Sequence, residues 1–155
     1  MASEFGPCGG KQTFLPESTY NDSASFGDSN MTDLAVKSSA FENHTLIPSK
    51  YTCDGEEVNP PLTIYDIPAE AKTLVLIVDD PDAGGGTFDH WLVWNISTTG
   101  KIDENSTPGT QGINSDGQRG YVGMCPPSGT HRYFFKVFAG HILARGELIG
   151  LYNRI

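Results

Sequence analysis

Continuous runs of β-branched and aromatic residues, each bounded by turn residues, constrain the fold of this chain more than any other feature. TLVLIVDD (73–80), HWLVWNI (90–96) and RYFFKVFA (132–139) have the composition of strands, and the unbroken apolar character of the first predicts burial on both faces. Stretches such as PDAGGG and PPSG separate these runs, and the chain holds 18 Gly and 10 Pro. Several short strands joined by such loops predict a mainly β fold, either a sandwich or a barrel.

Two further segments carry weaker signals. LTIYDI (62–67) alternates apolar and polar residues, as a half-buried strand does. HILARGELIGLY (141–152) has some helical character, but Gly146 and Gly150 weaken it because glycine is a poor helix former.

The domain organisation follows from length and composition. A chain of 155 residues is long enough for one domain with a stable core. Residues 1–30 are polar and rich in Ser, Gly and Asn, which is typical of a flexible leader or an appended remnant. Patterned sequence begins after Met31, so we expect a single domain over residues 31–155.

The net charge is −9, from 19 acidic and 10 basic residues. This balance argues against nucleic-acid or anionic-membrane binding through the whole surface, but it allows a small local anion site. No stretch of about 18 apolar residues could span a membrane, and the first residues lack the basic and apolar regions of a secretory signal. We therefore expect no membrane span and a cytoplasmic location.

The three cysteines, Cys8, Cys53 and Cys125, form an odd set without CxxC spacing, which argues against a zinc site. A disulfide between Cys53 and Cys125 is possible, but the sequence alone does not establish it.

Titratable residues lie directly at the ends of the predicted strands. Asp79 and Asp80 end one strand, and Pro81 holds Asp80 extended at its mouth. His90 and His131 each precede another apolar run. Taken one at a time, such aspartates are typical of turns and such histidines are typical of solvated or hydrogen-bonded side chains.

The loop GMCPPSGT (123–130) changes this interpretation. Its prolines and glycines fix an irregular backbone, which leaves the amides of Gly123, Met124 and Cys125 without an evident ladder partner. Free amides near a histidine form a concavity that binds anions. The sequence therefore predicts that the strand ends meet and form one small polar pocket.

These motifs resemble a known family. DDPDAG with FDHWLVWNI (79–96), GYVGMCPPSGTHRYFFKVFA (120–139) and IPSKYTCDGEEVNPPL (47–62) resemble the phosphatidylethanolamine-binding protein family, above all its bacterial and archaeal branch, often labelled Raf-kinase-inhibitor-like. The resemblance runs from about Val36 to Tyr152. It implies an antiparallel β-sandwich with few short helices and a small pocket for anions such as phosphate or phosphorylated head groups, without a cofactor.

Carried over position by position, the resemblance implies a polar wall, an apolar lining and two amide donors. These ligand-binding residues are Asp80, His90 and His131; Phe88, Pro127 and Tyr133; and the amides of Gly123 and Cys125. Asp82 resembles a structural partner, of Arg132, more than a ligand contact.

The sequence also departs from the family pattern. Phe88 stands where the family usually has Trp, which removes an indole N–H, and Gly84 and Met124 replace usual prolines. Relatives carry a further segment, largely an acidic loop and a helix, where Ala139 and Gly140 are adjacent here. The segment is either absent from the protein or left out of this sequence, and the clean join favours the second. Loss of a covering helix would expose a large apolar face.

Three functions suit such a pocket. A carboxylate and two imidazoles beside free amides fit a phosphate monoanion, which predicts a protein that binds phosphate or phosphoethanolamine and that, by the resemblance, regulates kinase signalling. A protease or kinase inhibitor acting through a loop such as 98–112 is the alternative. A metal-dependent hydrolase is least favoured, because neither histidine has a partner at metal-ligand spacing. We expect no catalytic residues, no metal and no enzyme activity, and a homodimer is possible.

Overall fold

The structure is a computed structural model in which residues 32–140 and 144–154 are described, and strands dominate them. The ten strands are β1 (Thr32–Asp33), β2 (Ala35–Lys37), β3 (Thr45–Leu46), β4 (Leu62–Tyr65), β5 (Leu74–Asp80), β6 (Phe88–Ile96), β7 (Lys101–Ile102), β8 (Thr110–Gln111), β9 (Gly129–Ala139) and β10 (Ala144–Arg154). Within those residues the helical content is a single 3₁₀ turn at Ser49–Tyr51. The prediction of a mainly β fold is confirmed. Of the few short helices that were also predicted, the described residues contain this one turn.

The strands form two open sheets. The larger has seven strands in the order β1-β10-β9-β5-β6-β8, with β3 also paired to β10, and the smaller has the order β2-β4-β7. The long strands β10, β9, β5 and β6 are antiparallel neighbours, whereas the two-residue strands β1 and β3 join β10 in parallel. The prediction of an antiparallel sandwich is thus confirmed for the strands that form its body.

Apolar residues from both sheets share one hydrophobic core. On β5, Leu74, Leu76 and Val78 are completely buried, because alternate residues of a strand point to the same face. Val75 and Ile77 point to the opposite face and are only half-buried. The prediction that β5 is buried on both faces is therefore wrong, since a continuous apolar run does not show whether a second layer covers the sheet.

The C-terminal segment is a strand, so its helical character was misleading. β10 pairs with β9 along eleven residues, from Ala144 opposite Ala139 to Arg154 opposite Gly129. A Cβ atom on Gly146 would overlap the carbonyl oxygen of Leu34. Glycine at this position serves the close approach of a neighbouring backbone.

The junction where relatives carry a further segment is continuous here. Gly140 donates its amide hydrogen to the carbonyl oxygen of Thr73 at 3.0 Å, and Ala139 and Ala144 are almost completely buried. The two long strands therefore pair fully without an inserted helix. The predicted leader, residues 1–30, lies outside the described residues, and none of the described residues forms a helix long and apolar enough to cross a membrane.

Candidate functional site

The end of β5, the start of β6 and the N-terminal half of β9 lie together at one end of the larger sheet. β5 runs antiparallel to both β6 and β9, so its last residues lie beside the start of β6 and beside the middle of β9, where Asp79 pairs with Phe134. Asp80 pairs with Phe88 at the start of β6, and the register shifts between Val78 and Asp79. This arrangement brings the acidic end of β5 next to His90 and His131, as the sequence predicted.

Asp80 and His131 form a nearly buried pair. The Nδ1 of His131 lies 2.7 Å from Oδ2 of Asp80, and the two side chains are only 12% and 5% exposed. Because a carboxylate only accepts hydrogen bonds, this Nδ1 carries a proton. The other oxygen of Asp80 accepts the backbone N–H of Asp82 at 2.8 Å. Both carboxylate oxygens are therefore engaged, and the Nε2 of His131 is the ring nitrogen left for a ligand.

His90 is held in a more apolar setting. Its Nδ1 donates to the carbonyl oxygen of Val122 at 2.9 Å, which again leaves Nε2 for a ligand. The ring packs against Phe88 and Tyr133, with centroid separations of 4.8 and 5.3 Å. Burial lowers the pKa of His90 below its ordinary value, and the bond to Val122 and the neighbouring aspartates oppose this only in part.

A disulfide fixes the loop on the opposite side of the site. Cys53 and Cys125 are bridged, as the sequence allowed, with their Cα atoms 5.4 Å apart. The N–H of Cys53 also donates to the carbonyl oxygen of Met124 at 3.2 Å. A Cβ atom on Gly123 would lie 2.8 Å from the carbonyl carbon of Thr52. Only glycine allows these two segments to approach so closely.

The amide of Gly123 is not free, which corrects the prediction from the loop sequence. It donates to Oε1 of Glu57 at 3.1 Å. The acceptor was missed because Glu57 and Gly123 are 66 residues apart, and their segments come together only in the fold, through the bridge from Cys53 to Cys125 and the bond from Cys53 to Met124. Had that disulfide been assumed, the acidic stretch directly after Cys53 would have indicated such an acceptor.

These groups surround a cavity of about 360 Å³. Seven of the eight predicted ligand-binding residues line it: Asp80, Phe88, His90, Gly123, Cys125, Pro127 and His131. The lining also includes Glu57 and Asp116, which were not predicted. Its charged side chains are therefore carboxylates, balanced only by the two histidines.

The three remaining predicted residues lie outside the cavity wall. Tyr133 is completely buried behind the histidine rings, and burial raises the pKa of its hydroxyl. Arg132 and Asp82 form a bidentate pair, with Nε to Oδ2 at 2.9 Å and Nη2 to Oδ1 at 2.7 Å. This pair lowers the pKa of Asp82 from 3.8 to about 2. It fixes the start of β9 beside the turn after β5.

No group of three or more His, Cys, Asp and Glu side chains that could hold a metal ion occurs within residues 32–140 and 144–154. Asp80 instead bonds to His131 and to the backbone of Asp82, and His90 bonds to the backbone through its Nδ1.

A family model described as phosphatidylethanolamine-binding protein matches residues 37–153. The chain is 46% identical to a UPF0098 protein of Archaeoglobus fulgidus and 40% identical to one of Methanothermobacter thermautotrophicus, with 78% of the chain aligned in each case. The first match spans 51% of the relative, about half its length, and the second spans 99%. The aligned 78% of this chain is about 121 of its 155 residues, but the alignments run over 149 and 150 positions. The relatives therefore contain residues that have no counterpart in this chain.

Two solved structures are similar. One is a phosphatidylethanolamine-binding protein homologue of Chlamydia trachomatis, with a TM-score of 0.76 and 36% identity, covering 79% of this chain and 99% of that one. The other is YbcL of E. coli, described as a member of the mammalian family, with a TM-score of 0.72 and 26% identity, covering 80% of this chain and 100% of that one.

Proposed function

We propose, from the premise that this chain belongs to the phosphatidylethanolamine-binding protein family, that its cavity binds small oxyanions such as phosphate or a phosphorylated head group. The ligand class suggested by the family name agrees with the chemistry of the cavity. A half-enclosed space lined by two imidazoles and irregular loop backbone suits a compact polar group better than an extended chain.

The observation that carries the proposal is the state of the two histidine rings. In each ring Nδ1 is committed, to Asp80 in His131 and to Val122 in His90. A neutral ring therefore offers an acceptor at Nε2, and only a protonated ring offers a donor there. An oxyanion is bound either when a ring is protonated or when the anion brings its own proton. A protonated phosphate group satisfies the second condition, because it can donate its P–OH to a neutral Nε2.

This chemistry ties binding to pH. Since burial lowers the pKa of His90, its neutral form dominates at pH 7. His131 is held by the Asp80 carboxylate, 2.7 Å from its Nδ1, and its Nε2 is left for the ligand. We assign the donor role to His131 and the role of a mainly neutral acceptor to His90. When the anion loses its proton as pH rises, the hydrogen bond from the anion to a neutral ring is lost, so affinity should fall.

We also propose that the cavity binds without catalysing a reaction. Both oxygens of Asp80 accept hydrogen bonds, from His131 and from the backbone of Asp82, which favours a role in positioning His131 over that of a general base. The sulfur of Cys125 is in a disulfide and is therefore not a free thiol nucleophile.

Calorimetric titration with inorganic phosphate and with phosphoethanolamine, at pH 6 and pH 8, tests the proposal. The informative variant is His131→Asn, whose amide can still donate to Asp80 but lacks a group in place of Nε2. We expect wild-type binding at pH 6 to weaken at pH 8 and to weaken roughly 10-fold or more in the variant, as for a charge-assisted hydrogen bond. His44→Asn is the matched control, because Asn tolerates the left-handed backbone of His44 (φ 62°).

Unchanged affinity in His131→Asn would remove this histidine from the site. Absence of phosphate binding by folded wild-type protein at both pH values would refute the proposed function itself.

A further inference from the structure

We infer that Glu57 selects the charge of the bound anion, so that the cavity favours singly charged oxyanions over doubly charged ones. This inference rests on the proposed anion-binding function and adds a selectivity residue to it. It concerns a side chain that neither the strand-end pattern nor the loop sequence identified.

Glu57 already occupies one of the two backbone donors predicted for the anion. Its Oε1 accepts the Gly123 N–H at 3.1 Å. A carboxylate on a backbone amide has the same charge and hydrogen-bonding chemistry as a bound oxyanion. In the free cavity, Glu57 therefore stands in the place of part of the ligand.

The backbone holds Glu57 in this position. Its φ of 57° is a left-handed conformation, and its N–H donates to the carbonyl oxygen of Lys50 at 3.0 Å. The bridge from Cys53 to Cys125 and the bond from Cys53 to Met124 then fix this segment against the loop that carries Gly123. The carboxylate is thus anchored at the cavity, although the side chain itself is solvent-exposed.

Nearby cations are already paired with other carboxylates. The Lys50 ammonium lies 2.7 Å from Glu104, and Arg154 lies 3.4 Å from Asp54. None of the residues that line the cavity in the described part of the chain is a Lys or Arg. Arg154 also donates to the sulfur of Cys125 in the cavity wall at 3.3 Å, but its charge is shared with Asp54. Nearby paired cations therefore reduce the repulsion between Glu57 and an incoming anion without cancelling it.

An anion has to displace this carboxylate from Gly123 or bind beside it. Coulomb repulsion grows with the charge of the anion, so a dianion meets about twice the repulsion of a monoanion. At the exposed edge of the cavity, water and salt reduce this repulsion without removing it. Glu57 should therefore lower affinity for both kinds of anion, and more strongly for the doubly charged one.

The test compares sulfate, which is doubly charged, with methyl sulfate, which is singly charged, at pH 6 and low ionic strength by calorimetry. The variant is Glu57→Gln, which keeps the side-chain length and an oxygen for the Gly123 amide but removes the charge. We expect its affinity for sulfate to rise roughly 3- to 10-fold and its affinity for methyl sulfate to rise less, as one removed charge at an exposed site allows.

Glu56→Gln is the matched control. Glu56 is the exposed carboxylate next to Glu57 in the sequence, but it does not line the cavity. We expect this variant to change sulfate affinity less than twofold. Equal effects in Glu56→Gln and Glu57→Gln, or the same gain for both anions in Glu57→Gln, would overturn the selective role of Glu57.

The two proposals fail in different ways. Wild-type binding of both anions with no change in Glu57→Gln would overturn the inference and leave the proposed function standing. Binding of neither sulfate nor methyl sulfate by folded wild type or by Glu57→Gln would overturn the inference, and it would overturn the proposed function as well if inorganic phosphate, which brings its own proton, also failed to bind. Sulfate binding that appears only in Glu57→Gln would support both.

Discussion

Breaking the disulfide between Cys53 and Cys125 should lower the free energy of unfolding by about 4 kcal/mol. The bridge joins residues with a sequence separation of 72. In the chain-entropy model, a closed loop of about 15 residues contributes about 3 kcal/mol and one of about 100 residues about 4.7 kcal/mol. A loop of this length falls in the upper part of that interval, at about 4.4 kcal/mol by the same relation. Most of the effect acts on the unfolded chain, which the bridge keeps from expanding.

Urea unfolding of oxidised and dithiol-reduced protein measures this difference. Cys8→Ser in every sample removes the third cysteine, so that no other thiol exchanges with the bridge. The reduced protein should unfold at lower urea with a larger m-value, because its unfolded state exposes more surface. The double variant Cys53→Ser, Cys125→Ser should agree with the reduced sample.

A loss of less than about 1 kcal/mol would refute the reasoning, because a constraint on so long a loop cannot be that weak unless the unfolded chain is already compact. The bridge also fixes the loop that carries Cys125 and Pro127 in the cavity wall. Phosphate affinity should therefore fall on reduction even under conditions where the protein stays folded. Disulfides are typical of oxidising compartments, whereas the sequence predicts a cytoplasmic location. That location therefore stays a prediction.

Two further changes test the framework around the site. Asp82→Asn should lower the free energy of unfolding by about 1 kcal/mol at pH 7, because the partly exposed carboxylate accepts two side-chain bonds from Arg132. Since the pKa of Asp82 is about 2 when folded and 3.8 ordinarily, this contribution is present above about pH 4 and is lost as pH falls towards 2; an undiminished difference between wild type and variant in denaturation at pH 2 would contradict it. Gly146→Ala should lower the melting temperature by an amount equivalent to about 2 kcal/mol, because the new methyl group meets the Leu34 carbonyl. Gly84→Ala is its control, since nothing lies within 4 Å of that Cβ position, and equal melting temperatures in the two variants would show that the overlap has no energetic effect.

The sequence was sufficient where local composition decides the structure. The β-branched and aromatic runs with turn residues on each side correspond to β5, β6 and β9. Because these strands are antiparallel neighbours, their polar ends meet, and Asp80, His90 and His131 line one cavity. The composition of each strand and the residue at its end were both visible without coordinates.

The sequence was insufficient where distant segments determine the outcome. Tyr133 was expected in the pocket lining because the resemblance to the family placed it there. Residues two apart on a strand share a face, so Tyr133 lies on the same side but deeper, completely buried in the core. Glu57 was missed for the opposite reason, since its partner is remote in sequence and close only in the fold. Kinase or protease partners and a homodimer depend on surfaces of other molecules, and these stay predictions.

The outward face of β9 shows how the fold tolerates the short connection after Ala139. Without a covering helix, this face was expected to expose a large apolar surface. Lys136 lies in the middle of it, with its ammonium 2.6 Å from Asp79 and 5.4 Å from the ring centre of Phe134. The alkyl stem of a lysine held in this way covers apolar surface while its charge stays satisfied. Asp79 is only 5% exposed, and Phe134 and Phe138 are half-buried. The salt bridge from Lys136 of β9 to Asp79 of β5 thus covers part of the area that a helix would otherwise cover, and this reduces the apolar surface that is left open.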